Sequence, residues 1–219
     1  MLREILTQSL IALSAIFVVV DPFAAVPFFL AMTSDQSAAQ RRETARRAAI
    51  GAWLILTSFG LLGALLFRLL GISIPAFKLA GGILLLLIAV DMIRTAPSPA
   101  RITPPEVEAG QVKDDVAIVP LAMPLLAGPG SIATVIVLMG RVHPKQWWNG
   151  LPVLVAIGVV AIVTFLTLAA ATRVERVLSR TGMNILERVA GMLLAAIALQ
   201  FLIDGAGEAF PGLLRGGAP

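Results

Sequence analysis

Two long apolar runs in this chain are each broken near the middle by proline, and nothing else in the sequence constrains the fold as strongly. Asp21-Pro22 interrupts the run from Ile5 to Leu30, and Gly128-Pro129-Gly130 interrupts the run from Val116 to Met139. Proline removes a backbone donor and clashes with the preceding helical turn, while glycine lowers helix propensity. In lipid, backbone groups freed in this way must be satisfied by protein or by a watery cavity. Two helices broken near mid-bilayer point to a small ligand held between the breaks.

That these runs lie in lipid follows from composition. Hydrophobic residues make up 58% of the chain and charged residues 14%, with a mean hydropathy of +0.92; a soluble domain carries about a quarter charged residues. Six spans are expected, at about 5–32, 48–70, 74–93, 116–139, 151–171 and 186–204. Each approaches the ~20 residues that cross a hydrocarbon core. The N-terminus lacks a basic segment and a small-residue cleavage site, so the first span is expected to be retained rather than removed as a signal peptide. The absence of cysteine excludes disulfides, iron–sulfur clusters and thiolate metal sites, and neither cofactor nor metal is expected. The pI near 10.6 reflects basic residues gathered between spans, and nucleic acid is not an expected partner.

Those basic residues set an orientation. Loops 1–2, 3–4 and 5–6 hold eleven of them: Arg41, Arg42, Arg46, Arg47, Arg94, Arg101, Lys113, Arg173, Arg176, Arg180 and Arg188. The other side holds six. The positive-inside bias then makes the first group cytoplasmic and leaves both termini in the periplasm, with Trp147 and Trp148 as outer interfacial anchors. The proline-rich stretch 94–115 becomes a cytoplasmic linker between a first repeat, 1–93, and a second, 116–219, which ends in a short tail.

The two halves resemble each other. At a shift of 107 residues Pro22 meets Pro129, Met32 meets Met139, Ile50-Gly51 meets Ile157-Gly158 and Thr57 meets Thr164. At a shift of 110, Lys78-Leu79-Ala80-Gly81 meets Arg188-Val189-Ala190-Gly191. Three spans per repeat is an odd number, so the second half must cross the bilayer inverted. The expected fold is an all-α membrane protein of six transmembrane helices, arranged as two inverted three-helix repeats with helices 1 and 4 broken. Many secondary transporters are built this way, with the site at the midplane.

The candidate substrate-binding residues are Asp21, Pro22, Gly128, Pro129, Gly130, Ser131, Thr134 and Gln200. Asp21 precedes a proline and can cap a half-helix starting at Pro22; the half-helix starting at Pro129 presents the Gly130 and Ser131 amides to an anion. A zwitterion satisfies both, its ammonium near Asp21 and its carboxylate at Gly130-Ser131. The competing readings are a purely structural cap at Asp21 and a packing kink at Gly128-Pro129-Gly130. Gln200 is expected inside span 6 as an interhelical strut or a substrate contact. Thr134, Thr57 and Thr164 can instead return their hydroxyl bonds to the preceding turn. Lys78 and Arg188 read as snorkelling anchors and His143 as solvated surface. No constellation for catalysis is present, and the chain is not expected to be an enzyme.

The same residues carry a family resemblance. Val20-Asp21-Pro22-Phe23-Ala24-Ala25-Val26-Pro27-Phe28-Phe29 resembles the first-helix motif of the MarC family, and Pro120 to Ile132, which includes Gly128-Pro129-Gly130-Ser131, is similar to its fourth-helix motif. Leu79 to Leu85 and Gly191 to Phe201 resemble its third and sixth helices. The resemblance implies six helices in the bacterial inner membrane and, for some members, transport of small neutral amino acids such as glycine and alanine. The expected partners are a small zwitterionic substrate and membrane lipids; a coupling proton or sodium ion and a homo-oligomer stay open. Two alternatives compete with an amino acid transporter or exporter: a channel or transporter for another small solute or ion, and a non-transporting membrane scaffold. Transport calls for a polar cavity near Asp21 and Ser131, a scaffold for a dry, filled centre.

Overall fold

Proline breaks and capped turns divide the chain into helices in the computed structural model, which describes residues 2–94, 117–140 and 150–211. In order these are α1 (Leu2–Val20), α2 (Ala25–Met32), α3 (Ala38–Leu70), α4 (Ile74–Arg94), α5 (Ala117–Leu126), α6 (Pro129–Gly140), α7 (Leu151–Ala169) and α8 (Ala171–Ala209). The protein is all-helical among the described residues. By length and composition, α3, α4, α7 and α8 each contain a segment able to cross a membrane. The bent pairs α1/α2 and α5/α6, kinked by 46° and 59°, raise the number to six if each pair is one span. The linker proposed at 94–115 lies almost wholly outside the described residues, as do His143, Trp147 and Trp148.

Local chemistry explains the ends. Ser37 and Gln40 form a reciprocal capping box at the start of α3: the Gln40 backbone N–H donates to Ser37 Oγ, and the Ser37 N–H donates to Gln40 Oε1 at 2.8 Å. Arg41 reaches back to donate to the carbonyls of Thr33 (2.8 Å) and Ser34 (3.0 Å), satisfying acceptors left over where α2 ends. In α5 the residues before Pro120 and Pro124 are pushed into extended conformation, as proline demands of its predecessor: Val119 has φ −128° and Met123 φ −137°. Both X-Pro bonds are cis. The segment is therefore an irregular coil bent at both prolines, closed by an Ala127 N–H bond to the Ala122 carbonyl at 2.8 Å.

The expected loops 1–2 and 5–6 are corrected by helix length. At about 1.5 Å per residue, the 33 residues of α3 and the 39 of α8 run ~50 and ~58 Å, well beyond a ~30 Å hydrocarbon core. Arg41, Arg42, Arg46 and Arg47 are therefore turns of α3, while Arg173, Arg176, Arg180 and Arg188 are turns of α8. Ala170 alone separates α7 from α8.

Small residues set the packing. Helices α4 and α8 form the most extensive pair and run antiparallel: Gly82 lies against the Ala198 carbonyl and Leu202, and Gly191 against the Ala89 carbonyl, Met92 and Ile93. A Cβ on Gly82 would come within 2.9 Å of Ala198 O, so only glycine allows this approach. Helix α3 lies antiparallel to α7 and parallel to the α5/α6 pair, with Gly51 on Ala122, Gly60 on Val135 and Gly63 on Ile136. One buried cluster joins Ile16, Val26, Phe29, Leu121, Leu126 and Ile157; a second joins Leu85, Met92, Val137, Leu194 and Phe201. Leu61, Leu65, Ile83, Leu87, Val155, Leu199 and Ile203 point outward, the apolar exterior that suits lipid. Lys78 does not snorkel as an anchor. Its side chain is 4% exposed, and its Nζ meets Glu208 Oε1 at 2.5 Å, because the antiparallel pairing brings the start of α4 to the end of α8.

Candidate functional site at the helix breaks

At the first break Asp21 takes the left-handed conformation (φ 47°), which ends α1 while its N–H still donates to the Phe17 carbonyl at 2.9 Å. Among non-glycine residues this region favours aspartate and asparagine. Asp21 Oδ1 accepts from the Ala24 N–H at 3.2 Å, the geometry of an N-cap three residues on. Pro22, Phe23 and Ala24 form one turn, and regular helix begins at Ala25 rather than at Pro22. Asp21 is thus 5% exposed, with Oδ1 engaged by its own chain's backbone.

At the second break α6 starts at Pro129, with the Ile132 N–H donating to the Gly128 carbonyl at 3.0 Å. Glycine is required at 128: a Cβ there would sit 2.6 Å from the Pro124 carbonyl oxygen. The hydroxyls are spent locally. Ser131 Oγ donates to the Leu126 carbonyl at 3.0 Å, and Thr134 Oγ1 to the Gly130 carbonyl at 2.9 Å. Thr164 likewise donates to the Val160 carbonyl at 2.8 Å, whereas the buried Thr57 hydroxyl has no hydrogen-bond partner among the described residues.

The two breaks adjoin. Gly130 faces Val19, two residues before Asp21: a Cβ built on Gly130 would lie 3.6 Å from Val19 Cγ1. The same Cβ would lie 2.7 Å from Leu85 Cδ2 and 3.3 Å from Ile88 Cδ1. The close approach that Gly130 permits is therefore taken by side chains of α4, and the space beside it is apolar and filled rather than polar and open. Val19, Leu85 and Ile88 were not legible as site residues, because nothing in an apolar helix marks which leucine meets a glycine 45 residues further along the chain. Asp21, Pro22, Gly128, Pro129, Gly130, Ser131 and Thr134 lie in and around the breaks. Gln200 does not join them: it is exposed on α8 and donates to Asp204 Oδ1 at 2.7 Å along its own helix. No group of three or more His, Asp or Glu residues among the described residues could hold a metal ion. The arrangement offers one carboxylate and one helix N-terminus across a packed apolar seam.

Comparison with known proteins places this architecture. The family model described as MarC family integral membrane protein matches residues 6–210. A UPF0056 membrane protein of Aquifex aeolicus is 40% identical over 194 residues, covering 89% of this chain and 90% of its own. UPF0056 membrane protein MJ1677 of Methanocaldococcus jannaschii is 41% identical (90% and 94% covered), and UPF0056 membrane protein YhcE of Escherichia coli 37% identical (91% and 92%). No solved structure matches the chain. With a family match over nearly its whole length, and bent and straight apolar helices enough for several crossings, this chain is a multi-pass integral membrane protein and belongs to the MarC family.

Proposed function

We propose that this protein is a secondary transporter or exporter of small neutral amino acids, with its site at the Asp21-Pro22 and Gly128-Pro129-Gly130 breaks. The observation that carries the reading is the meeting of the two breaks, where Gly130 at the start of α6 faces Val19 at the end of α1. A zwitterion there would set its ammonium against the Asp21 carboxylate and its carboxylate against the positive end of α6. The filled seam is then the closed form, which opens when Leu85 and Ile88 withdraw from Gly130.

Exchange symmetry supports two inverted three-helix repeats. Helix α7 packs on α1 as α3 packs on α5, and α8 touches α2 as α4 touches α6. Gly82 with Ala198 and Leu202 is mirrored by Gly191 with Ala89 and Ile93, and in each matched pair (82 and 191, 89 and 198, 93 and 202) the residues are 109 apart. Both termini are then periplasmic in the bacterial inner membrane, on the strength of the arginine-rich ends of α3 and α8.

The filling of the space beside Gly130 by Leu85, Ile88 and Val19 also favours a second reading, a scaffold whose seam never opens. A chain without cysteine separates the two directly. Ser131→Cys, in vesicles exposed to a water-soluble thiol reagent, should be modified slowly and be protected by millimolar alanine. Counterflow of labelled alanine, glycine or serine, with proton and sodium gradients imposed in turn, should accompany it. A Ser131→Cys protein whose new thiol never reacts, together with no exchange of any of the three from folded protein, overturns the transport reading and leaves the scaffold.

A further inference from the structure

Helices α3 and α7 carry a second pattern, away from the breaks. On α3, Arg42, Arg46, Ile50 and Trp53 recur at helical spacing on one face. On α7 and the first turn of α8, Gly158, Ile162, Phe165, Ala169 and Arg173 do the same. Because the helices are antiparallel, Trp53 lies beside Gly158 and Arg42 beside Ala169 and Arg173. Between them runs an outward-facing groove of about 350 Å³ lined by Ile50, Trp53, Gly158, Ile162 and Phe165, with Arg46 at one end. Phe165 also lines an adjoining hollow of about 430 Å³ that holds Arg42, Thr172 and Arg173.

We propose that this groove is a binding site for an anionic phospholipid, with one acyl chain along Trp53, Gly158 and Ile162 and the phosphate between Arg42 and Arg173. The dimensions fit. From Trp53 to Arg42 is eleven residues of helix, ~16 Å of rise, against ~15 Å for one leaflet of a ~30 Å hydrocarbon core. The apolar limb, seven residues (~10 Å) from Trp53 to Arg46, lies within one leaflet, and the basic mouth at Arg42 and Arg173 falls at headgroup level. The charges fit as well. Glu43 accepts from both Arg46 (2.8 Å) and Arg47 (3.2 Å), which offsets part of the charge on that side. Arg42 and Arg173 are exposed and make no ion pair with another of the described residues, so their planar donors face outward and suit a phosphodiester. A soluble anion would use the mouth but leave the apolar limb without purpose, and a zwitterionic lipid would bring its own cation to the arginines.

Trp53 reports on the groove. In the full-length Trp147→Phe/Trp148→Phe protein it is the remaining tryptophan, and acyl chains brominated near mid-chain quench it when they occupy the site. In phosphatidylcholine vesicles, brominated phosphatidylglycerol should compete for the groove far better than brominated phosphatidylcholine. At roughly fivefold per arginine the preference should be about 25-fold. Arg42→Gln/Arg173→Gln should abolish the preference, and Arg42→Lys/Arg173→Lys should keep most of it. Gly158→Leu should lower quenching by either lipid, since a Cβ there meets only Trp53 Nε1, at 3.9 Å, and the added side chain fills the groove. Equal quenching by the two lipids in the parent protein overturns the proposal. So does a preference that survives Arg42→Gln/Arg173→Gln, or displacement of the brominated phosphatidylglycerol by millimolar inorganic phosphate alone.

Discussion

Substitution of Asp21 separates three roles that the structure superimposes on one residue: a left-handed helix end, a cap and a buried charge. Asparagine keeps the first two, since it is among the residues that tolerate positive φ and caps about as well as aspartate. Glycine keeps the left-handed conformation and loses the side-chain acceptor for the Ala24 N–H, at a cost of a few tenths of a kcal/mol. Alanine loses the cap, about 1 kcal/mol, and holds φ near 47° at about 1 kcal/mol more. The expected order of stability is wild type and Asp21→Asn together, then Asp21→Gly, then Asp21→Ala about 2 kcal/mol lower. For a chain of this size that corresponds to ~4–8 °C in Tm. Thermal unfolding in one detergent, followed by tryptophan fluorescence, reads the series. Asp21→Ala melting with Asp21→Asn would refute the backbone argument. Transport reads the charge: alanine counterflow should fall strongly in Asp21→Asn despite its stability, and a wild-type rate would make Asp21 a cap and shift the site towards α6.

Gly130→Ala should destabilise by about 1–2 kcal/mol, because its Cβ forces the end of Leu85 aside, and Gly130→Leu should fail to fold; a Gly130→Leu protein as stable as wild type would show that the seam is not packed as described. Glu208→Gln should cost more than Lys78→Met, about 2 kcal/mol against less than 1, because the first strands a buried ammonium and the second leaves a half-exposed carboxylate to water; thermal melts giving the reverse order would refute the ion-pair asymmetry. Ser37→Ala should cost about 1 kcal/mol through the lost capping box, measured in the same melts, and no change would mean that α3 starts elsewhere. A reporter active only in the periplasm should be active when fused after Pro219; activity confined to fusions between Arg41 and Arg47 would invert the orientation.

What the sequence by itself determined is local and periodic. Proline and glycine dictated where the first and fourth apolar runs bend, because a missing N–H and a missing Cβ act whatever the surroundings. Apolar length dictated helices suited to lipid. The Ser37-x-x-Gln40 capping box was also legible, and it would have moved Arg41 to Arg47 out of a loop and onto α3, from which the basic face leading to Trp53 follows. Tertiary structure alone decided which faces met. Lys78 became a buried partner of Glu208 only because α4 and α8 run antiparallel at glycine contact, and Gln200 turned outward because Gly191, Leu194, Ala198 and Phe201 claim the inward face of α8. The filling of the Gly130 seam by Leu85 and Ile88 was likewise decided there. An apolar helix of leucine, alanine and glycine is close to isotropic in sequence, and in lipid hydrophobicity no longer distinguishes inside from outside. Close packing at small residues then selects the faces, and that selection exists only once both partners are in place.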